Sequence, residues 1–290
     1  MEVNDKNNIL KAGKIGKEAL NFALTLIEPG TFLLEVAEKT ENFIREQGAQ
    51  PSFPLNLSIN NDAAHYTPSP GDKMTFKTGD LVKVDIGAQV DGYISDNAST
   101  IEVGEKGEFS NLIDASREAL DQALKVLRPN IEIGRVGKII GERISSFGFK
   151  PVKNLGGHGI NRFDLHSRIF VPNYDDGNGA KIAPGTVIAI EPFASTGIGM
   201  IHNGPGGNIY ILSGTKQDKR DPVYTSFNAL PFAERWITDK FPDHRDYLKK
   251  MIARKQISQF PVLKEHSGAM ISQAEHTILI MADEIIVTTR

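Results

Sequence analysis

Residues 18–55 read EALNFALTLIEPGTFLLEVAEKTENFIREQGAQPSFPL, and residues 118–155 read EALDQALKVLRPNIEIGRVGKIIGERISSFGFKPVKNL. Aligned without gaps at an offset of 100, eleven of these 38 positions are identical. They include the punctuation Pro29/Pro129, Gly48/Gly148 and Pro51/Pro151, so two amphipathic helices of similar composition are a poor explanation. Each copy parses as helix, Pro-marked turn, helix, Gly stop: helices over 10–28 and 32–47, with Thr31 as cap, then over 111–127 and 133–147. The repeat continues at a larger offset. GDLVKVD (79–85) and GTVIAIE (185–191) each place a carboxylate six residues after a Gly, at the end of an apolar strand. An acid in that position is costly unless it is paired or bound to a metal.

Asp91-Gly92 is a strong hairpin signal after Asp85. A two-residue loop there sets Val90 opposite Tyr93 and Asp85 opposite Ala98, with Asp96 as the diagonal neighbour of Asp85 on the same face. A loop of odd length would send the two acids to opposite faces. The second repeat has no such local partner. Its next acid follows in QAEHTILIMADEIIVTT (273–289), and residues 197–270 between them read as an inserted subdomain. That insertion holds a Gly-rich stretch, a strand at IYIL and helices near 228–239 and 244–257.

The whole chain has 290 residues, a size consistent with one catalytic domain spanning 1–290. With no Cys it has no disulfides, no thiolate metal ligands and no thiol nucleophile. The 33 basic against 36 acidic residues, a net charge of −3, give no global case for nucleic-acid binding. No stretch approaches a membrane span, and the charged N-terminus lacks the pattern of a signal peptide, so a cytoplasmic protein is expected.

Asp85, Asp96, Glu191 and Glu275 thus collect at strand ends, with His158 in the Gly-flanked GGHGI. The glycines at 156, 157 and 159 are expected to let the backbone pass close to a site. Four carboxylates in one cleft cannot all stay ionised without cations. Two divalent ions would balance them, and oxygen and imidazole donors without sulfur suit Mn, Fe, Co or Zn. Two-metal sites of this kind serve hydrolysis. From spacing alone, a dinuclear centre and a satisfied polar core both remain open.

The motifs FPLNLSINNDAAHYTP (53–68), KVDIGAQVDGYISDNA (83–98), NLGGHGINRFDLH (154–166), IAIEPFAS (188–195), LPFAERW (230–236), PVLKE (261–265) and QAEHTIL (273–279) together resemble the type II methionine aminopeptidases, in the short archaeal form without an N-terminal extension. The resemblance covers nearly the whole chain. It implies an α+β pita-bread fold with pseudo-twofold duplication and a type II helical insertion at 197–270. The implied activity is removal of the N-terminal methionine from peptides and nascent proteins, by attack of a hydroxide held on two divalent metal ions.

By the same resemblance Asp85 chelates one ion, Asp96 and Glu275 bridge both, and His158 and Glu191 hold the second. Glu191 also moves the proton. His65 and His166 flank the scissile bond, contacting its nitrogen and carbonyl oxygen respectively. Phe53, Ile160 and Phe193 are expected to line an apolar pocket for the methionine side chain. His202, His244, His266 and His276 are expected at the surface or in structural roles. The expected partners are peptide and nascent-protein N-termini, with a transient ribosome contact and no membrane or specific nucleic acid, and the expected form is a monomer. One departure stands out: the family usually has Phe where this chain has Ala274, which puts the packing behind the site in question. The rival readings are a proline-specific peptidase, whose usual additional N-terminal domain is not expected in this length, and a non-catalytic binding protein on the same fold.

Overall fold

The computed structural model describes residues 3–104, 107–213, 220–239 and 241–290. Each half opens with two helices: α1 (Val3–Leu26) and α2 (Leu33–Glu46), then α3 (Ser110–Val126) and α4 (Ile133–Ser146). The identities at offset 100 fall in two matching cores. Ala19, Leu20, Ala23, Val36 and Ile44 are buried in one, and Ala119, Leu120, Ala123, Val136 and Ile144 in the other. Gly48 and Gly148 stop the second helix of each pair with φ of 74° and 85°, a conformation L side chains rarely adopt.

Thr31 is not the cap of α2. Phe32 precedes the helix and no side chain caps it. The N–H of Leu33 instead donates to the Met74 carbonyl at 3.0 Å, flanked by Phe76 N–H to Thr31 O and Gly30 N–H to Phe76 O. The second half repeats this with Ile133 to Ala180, Ile182 to Ile131 and Asn130 to Ile182. A strip of backbone pairing satisfies the helix end, so no capping side chain is needed. The helix-side numbers differ by 100 and the strand-side numbers by 106, the two offsets of the sequence repeat.

β1 (Asn56–Ile59), β2 (Leu81–Ile86) and β3 (Asn97–Glu102) form one antiparallel sheet in that order. β4 (Gly156–Asn161), β5 (Asp164–Pro172), β6 (Thr186–Ile190), β7 (His276–Ile280) and β8 (Ile285–Val287) form the other, ordered β5-β4-β6-β7-β8. The hairpin register is the one expected from a two-residue loop, with Val90 opposite Tyr93 and Asp85 opposite Ala98. Val82, Val84 and Ile86 enter the α1/α2 core, and Ile188 and Ile190 the α3/α4 core. Strand alternation therefore turns Asp85 and Glu191 to the opposite face. An isolated bridge between Ala98 and Glu275 joins the two halves.

The glycines around His158 are required by strand packing, and Gly156 also borders the cavity between the halves. A Cβ on Gly157 would lie 2.3 Å from the Ala189 carbonyl, and one on Gly156 2.4 Å from that of Val171. Neighbouring strands fill the space that side chains would need.

Within the expected insertion, the strand Ile201–Leu212 pairs with Ile257–Glu265, so the Gly-rich stretch is itself strand, with a register shift at Gly206. Helices α5 (Pro222–Phe227) and α6 (His244–Ala253) lie between these strands, while residues 214–219 and 240 fall outside the described set. No helix covers 228–239. Asn228 has φ of 53°, Phe232–Ala233 is a strand against Ile209 and Tyr210, and only Glu234–Trp236 makes a 3-10 turn. The spacing of Leu230, Ala233 and Ile237 imitates a helix face, but pairing with the long strand wins. α6 stops at Ala253 rather than 257 because Ile257 is drawn into the strand and Lys255 turns the chain with φ of 56°.

Arg235 ties this segment to the first half. Its guanidinium pairs with Glu41 of α2 and donates to Thr67 Oγ1 and the Pro68 carbonyl. Trp236 Nε1 donates to the other Glu41 oxygen at 2.6 Å. The Arg235 and Glu41 side chains are 4% and 1% exposed, so Arg235→Met would strand a buried carboxylate. The expected cost is about 3–5 kcal/mol, read as a lower midpoint in urea unfolding; an unchanged midpoint would refute the docking role.

Candidate metal centre

Both halves line a cavity of about 340 Å³. Asp85 reaches it from the end of β2, Asp96 from just before β3, His158 from β4 and Glu191 from the residue after β6. Glu275 enters at the bridge between the halves. Asp96, His158 and Glu275 each offer a ligand atom within 4.8 Å of the others. His158 Nε2 lies 3.4 Å from Asp96 Oδ2 and 3.8 Å from Glu191 Oε1. The cluster therefore draws together all five residues that the sequence singles out.

The electrostatics of this cluster demand either protons or cations. Burial, then the charge of Asp96, pushes Asp85 well above the usual carboxylate range. Glu191 and Glu275 rise for the same reasons, and burial lifts Asp96 to about 7. Asp85 Oδ1, Asp96 Oδ1 and Glu275 Oε1 are buried with no hydrogen-bonding partner among the described residues. Orphaned carboxylate oxygens facing a neutral imidazole fit hard or borderline divalent cations, which supply the missing positive charge.

A pH dependence follows. Carboxyls with raised pKa values hold protons near neutrality, and a cation must displace them. Manganese affinity of chelator-stripped protein should therefore fall as pH drops below about 7, the value of Asp96. Calorimetric titration in buffers of different ionisation enthalpy should show proton release. Affinity that is flat from pH 8 to 6 would contradict this coupling.

Gln273 is the site residue that the sequence reading missed. Its Nε2 lies 3.3 Å from Asp85 Oδ2, Glu191 Oε2 and Glu275 Oε2, so its two N–H donors are shared among three carboxylates. The available signal was its place two residues before Glu275, which puts both on one strand face.

His65 and His166 both line the cavity. His65 follows a short strand, has φ of 66° and packs edge-on against Phe260 with ring centroids 5.1 Å apart. The His166 ring lies 4.4 Å from that of His158. Burial first, then the neighbouring imidazole, lowers the pKa of His65 to about 4 and of His166 to about 3, so both are neutral at physiological pH.

Phe53 and Phe193 line the cavity, joined by Phe260, Leu263, Ile209 and Pro231 from 201–265. Ile160 does not. It packs with Ile9, Ile94 and Val187 and faces a separate depression, because the bulged pairing of β5 on β4 turns that end of the hairpin away. His202 and His266 are exposed and face each other, His244 contacts Glu234, and His276 contacts Thr289; none lines the cavity. Ala274 belongs to the α3/α4 core and borders a groove of about 760 Å³ between α1 and α3, behind the strands that carry the clustered acids. Leu20, Leu24, Ile113 and Leu120 form the apolar part of that groove wall.

The profile of metallopeptidase family M24 matches residues 7–216. The chain belongs to that family. A curated methionine aminopeptidase of Methanocaldococcus jannaschii is 43% identical over 100% of both chains. Among solved structures, a thermophilic Arx1 superposes with a TM-score of 0.85 at 16% identity, covering 99% of this chain and 91% of that one. Methionine aminopeptidase from Thermotoga maritima gives 0.73 at 25% identity, with coverage of 100% and 98%. At 16% identity the first likeness speaks for the pita-bread fold alone. Membership in the family accounts for the acid and histidine cluster, which a polar core with satisfied hydrogen bonds would not leave orphaned.

Proposed function

We propose that the chain is a metal-dependent aminopeptidase that removes N-terminal methionine from peptides and nascent proteins. The observation that carries this reading is the convergence of Asp85, Asp96, His158, Glu191 and Glu275 in one largely apolar cavity that also holds His65 and His166. The relatives named methionine aminopeptidase and the family membership support it.

Two divalent cations are the cofactor we assign, with Asp85, Asp96, His158, Glu191 and Glu275 as ligands. Bound there, such ions supply a water acidic enough to be a nucleophile near neutral pH and polarise the scissile carbonyl. Glu191 accepts the proton from the attacking water and passes it to the leaving amine. Neutral His166 donates a hydrogen bond to the carbonyl oxygen as it gains charge, and His65 contacts the nitrogen of the same bond. Phe53 and Phe193 hold the unbranched thioether side chain. In this reading the substrate's free amine sits against the acid cluster, which makes the enzyme an exopeptidase.

All the assigned ligands come from one chain, which is why we propose a monomer. Nascent chains as substrate place it in the cytoplasm with transient access to the ribosome. Residues 197–270 we assign as an inserted subdomain, supported by their own small core of Tyr210, Val223, Phe232 and Leu248 and by the cavity wall they supply.

Turnover of Met-Ala-Ser and Ala-Pro peptides by metal-loaded protein tests the reading. Methionine release that is abolished by a chelator and restored by cobalt or manganese is expected. Release of residues only ahead of proline would favour a proline-specific peptidase, and no turnover of either peptide a binding role.

A further inference from the structure

Two threonine hydroxyls cross the seam between the halves, one on each side of the Ala98–Glu275 bridge. Thr277 Oγ1 accepts from the Asp96 N–H and donates to the Asp96 carbonyl, both at 2.7 Å. Thr100 Oγ1 accepts from the Gln273 N–H at 2.8 Å and donates to the Gln273 carbonyl at 2.7 Å. At the bridge itself the backbones meet directly, Glu275 N–H to Ala98 O at 3.0 Å. The arrangement is reciprocal: an offset of 177 maps Asp96 onto Gln273, Ala98 onto Glu275 and Thr100 onto Thr277, and SDNAST (95–100) onto SQAEHT (272–277).

The backbones of the two threonines are committed elsewhere. Thr100 pairs with Lys83 in its own sheet, and Thr277 with Ala189. In a regular antiparallel ladder the main chains of 96 and 277, and of 100 and 273, would bond each other. Here the sheets diverge from the bridge, and each hydroxyl supplies the missing donor and acceptor. All four hydroxyl bonds are made by buried residues. What they hold is the backbone of Asp96 and of Gln273, whose side chains enter the carboxylate cluster.

We propose that Thr100 and Thr277 are positioning residues of the metal centre: their hydroxyls lock the two halves in the register at which Asp96 and Gln273 meet the ligands contributed by the other half. The inference rests on the metal-centre reading above. Neither hydroxyl touches the cavity, so their action is through the main chain. A hydroxyl at a seam of two rigid sheets holds ligands tightly because the strands can otherwise slide without breaking any ladder.

The test uses full-length protein stripped of metal and titrated with manganese by calorimetry, alongside kinetics with Met-Ala-Ser and thermal unfolding. Thr277→Val keeps the shape and removes the hydroxyl; Thr277→Ser keeps the hydroxyl. Thr277→Val is expected to stay folded, bind manganese about 10–100-fold more weakly and lose kcat with little change in KM, as changes just outside a ligand shell typically do. Thr277→Ser should remain within about threefold of wild type, clearly short of that loss. Thr100→Val and Thr100→Ser repeat the comparison on the Gln273 side. Folded valine variants with wild-type manganese affinity would overturn the proposal. So would valine variants that fail to fold on both sides of the seam, since the hydroxyls would then serve the fold and not the site. If wild-type protein binds no manganese, or Asp96→Asn binds it normally, the metal-centre reading fails instead.

Discussion

Asp96→Asn is expected to lower kcat/KM for Met-Ala-Ser by about 100-fold or more, the scale at which losing a ligand-shell contact is felt. Asp96 is only 4% exposed and sits 3.4 Å from His158, and its charge, after burial, pushes the Asp85 carboxyl up. One of its oxygens faces the imidazole and the other has no hydrogen-bonding partner among the described residues. An amide of the same shape keeps one oxygen and replaces the other by an NH2, which cannot bind a cation. Shape is preserved, so the fold should survive. Metal-free Asp96→Asn should unfold at the same temperature as metal-free wild type or higher, because one of four mutually repelling acids has been neutralised. Loss of bound metal with preserved folding would separate a ligand role from a structural one. Retention of more than about a tenth of wild-type turnover would argue against Asp96 as a shared ligand.

His65→Ala is expected to leave metal content unchanged and to reduce kcat by about 100-fold, the lower end of what a positioned imidazole contributes. His65 Nδ1 is buried without a hydrogen-bonding partner among the described residues, and the ring lines the cavity beside Phe260. The backbone at this position complicates a simple truncation. A φ of 66° is unfavourable for alanine, whereas asparagine tolerates it. His65→Asn is therefore the companion variant: a shared loss of turnover in both implicates the imidazole, while recovery in Asn would assign the effect to backbone strain. Unchanged kinetics in both would return His65 to a structural role.

The protonation of His65 adds a further sign. With its pKa lowered to about 4, the folded protein resists a proton that the unfolded chain accepts from its ordinary value of 6.5 downward. The stability that neutral His65 contributes is thus present above pH 6.5 and fades as pH falls towards 4. The acid limb of activity near neutrality should come from the carboxylates, whose pKa values lie higher.

Much of the centre is legible from short-range pattern. Asp85 and Asp96 share a face because the Asp91-Gly92 turn fixes loop parity, and the register of the hairpin follows. Asp85 and Glu191 occupy matching strand ends because two offsets, 100 and then 106, carry one duplicated plan through the helices and the strands. The cores of the two halves follow the same periodicity. The helical reading of 228–239 failed where apolar spacing imitated a helix face and a neighbouring strand claimed the segment. Thr31 failed as a cap because a distant strip of backbone, 74–76, already satisfies the helix end.

By itself, the amino-acid sequence determined the duplicated α+β plan and set the four acids at strand ends, since these depend on turn chemistry and alternation over a few residues, whereas His65 and His166 were singled out by the family resemblance alone. Only the tertiary structure decided that Gln273 lies among three carboxylates, that Ile160 faces away, that glycines near His158 make room for strands, and that Thr100 and Thr277 hold the seam. Those facts concern which remote segments meet, across separations of up to 188 residues. Periodicity names the face a side chain takes; the partner it finds there depends on how two twisted sheets come together.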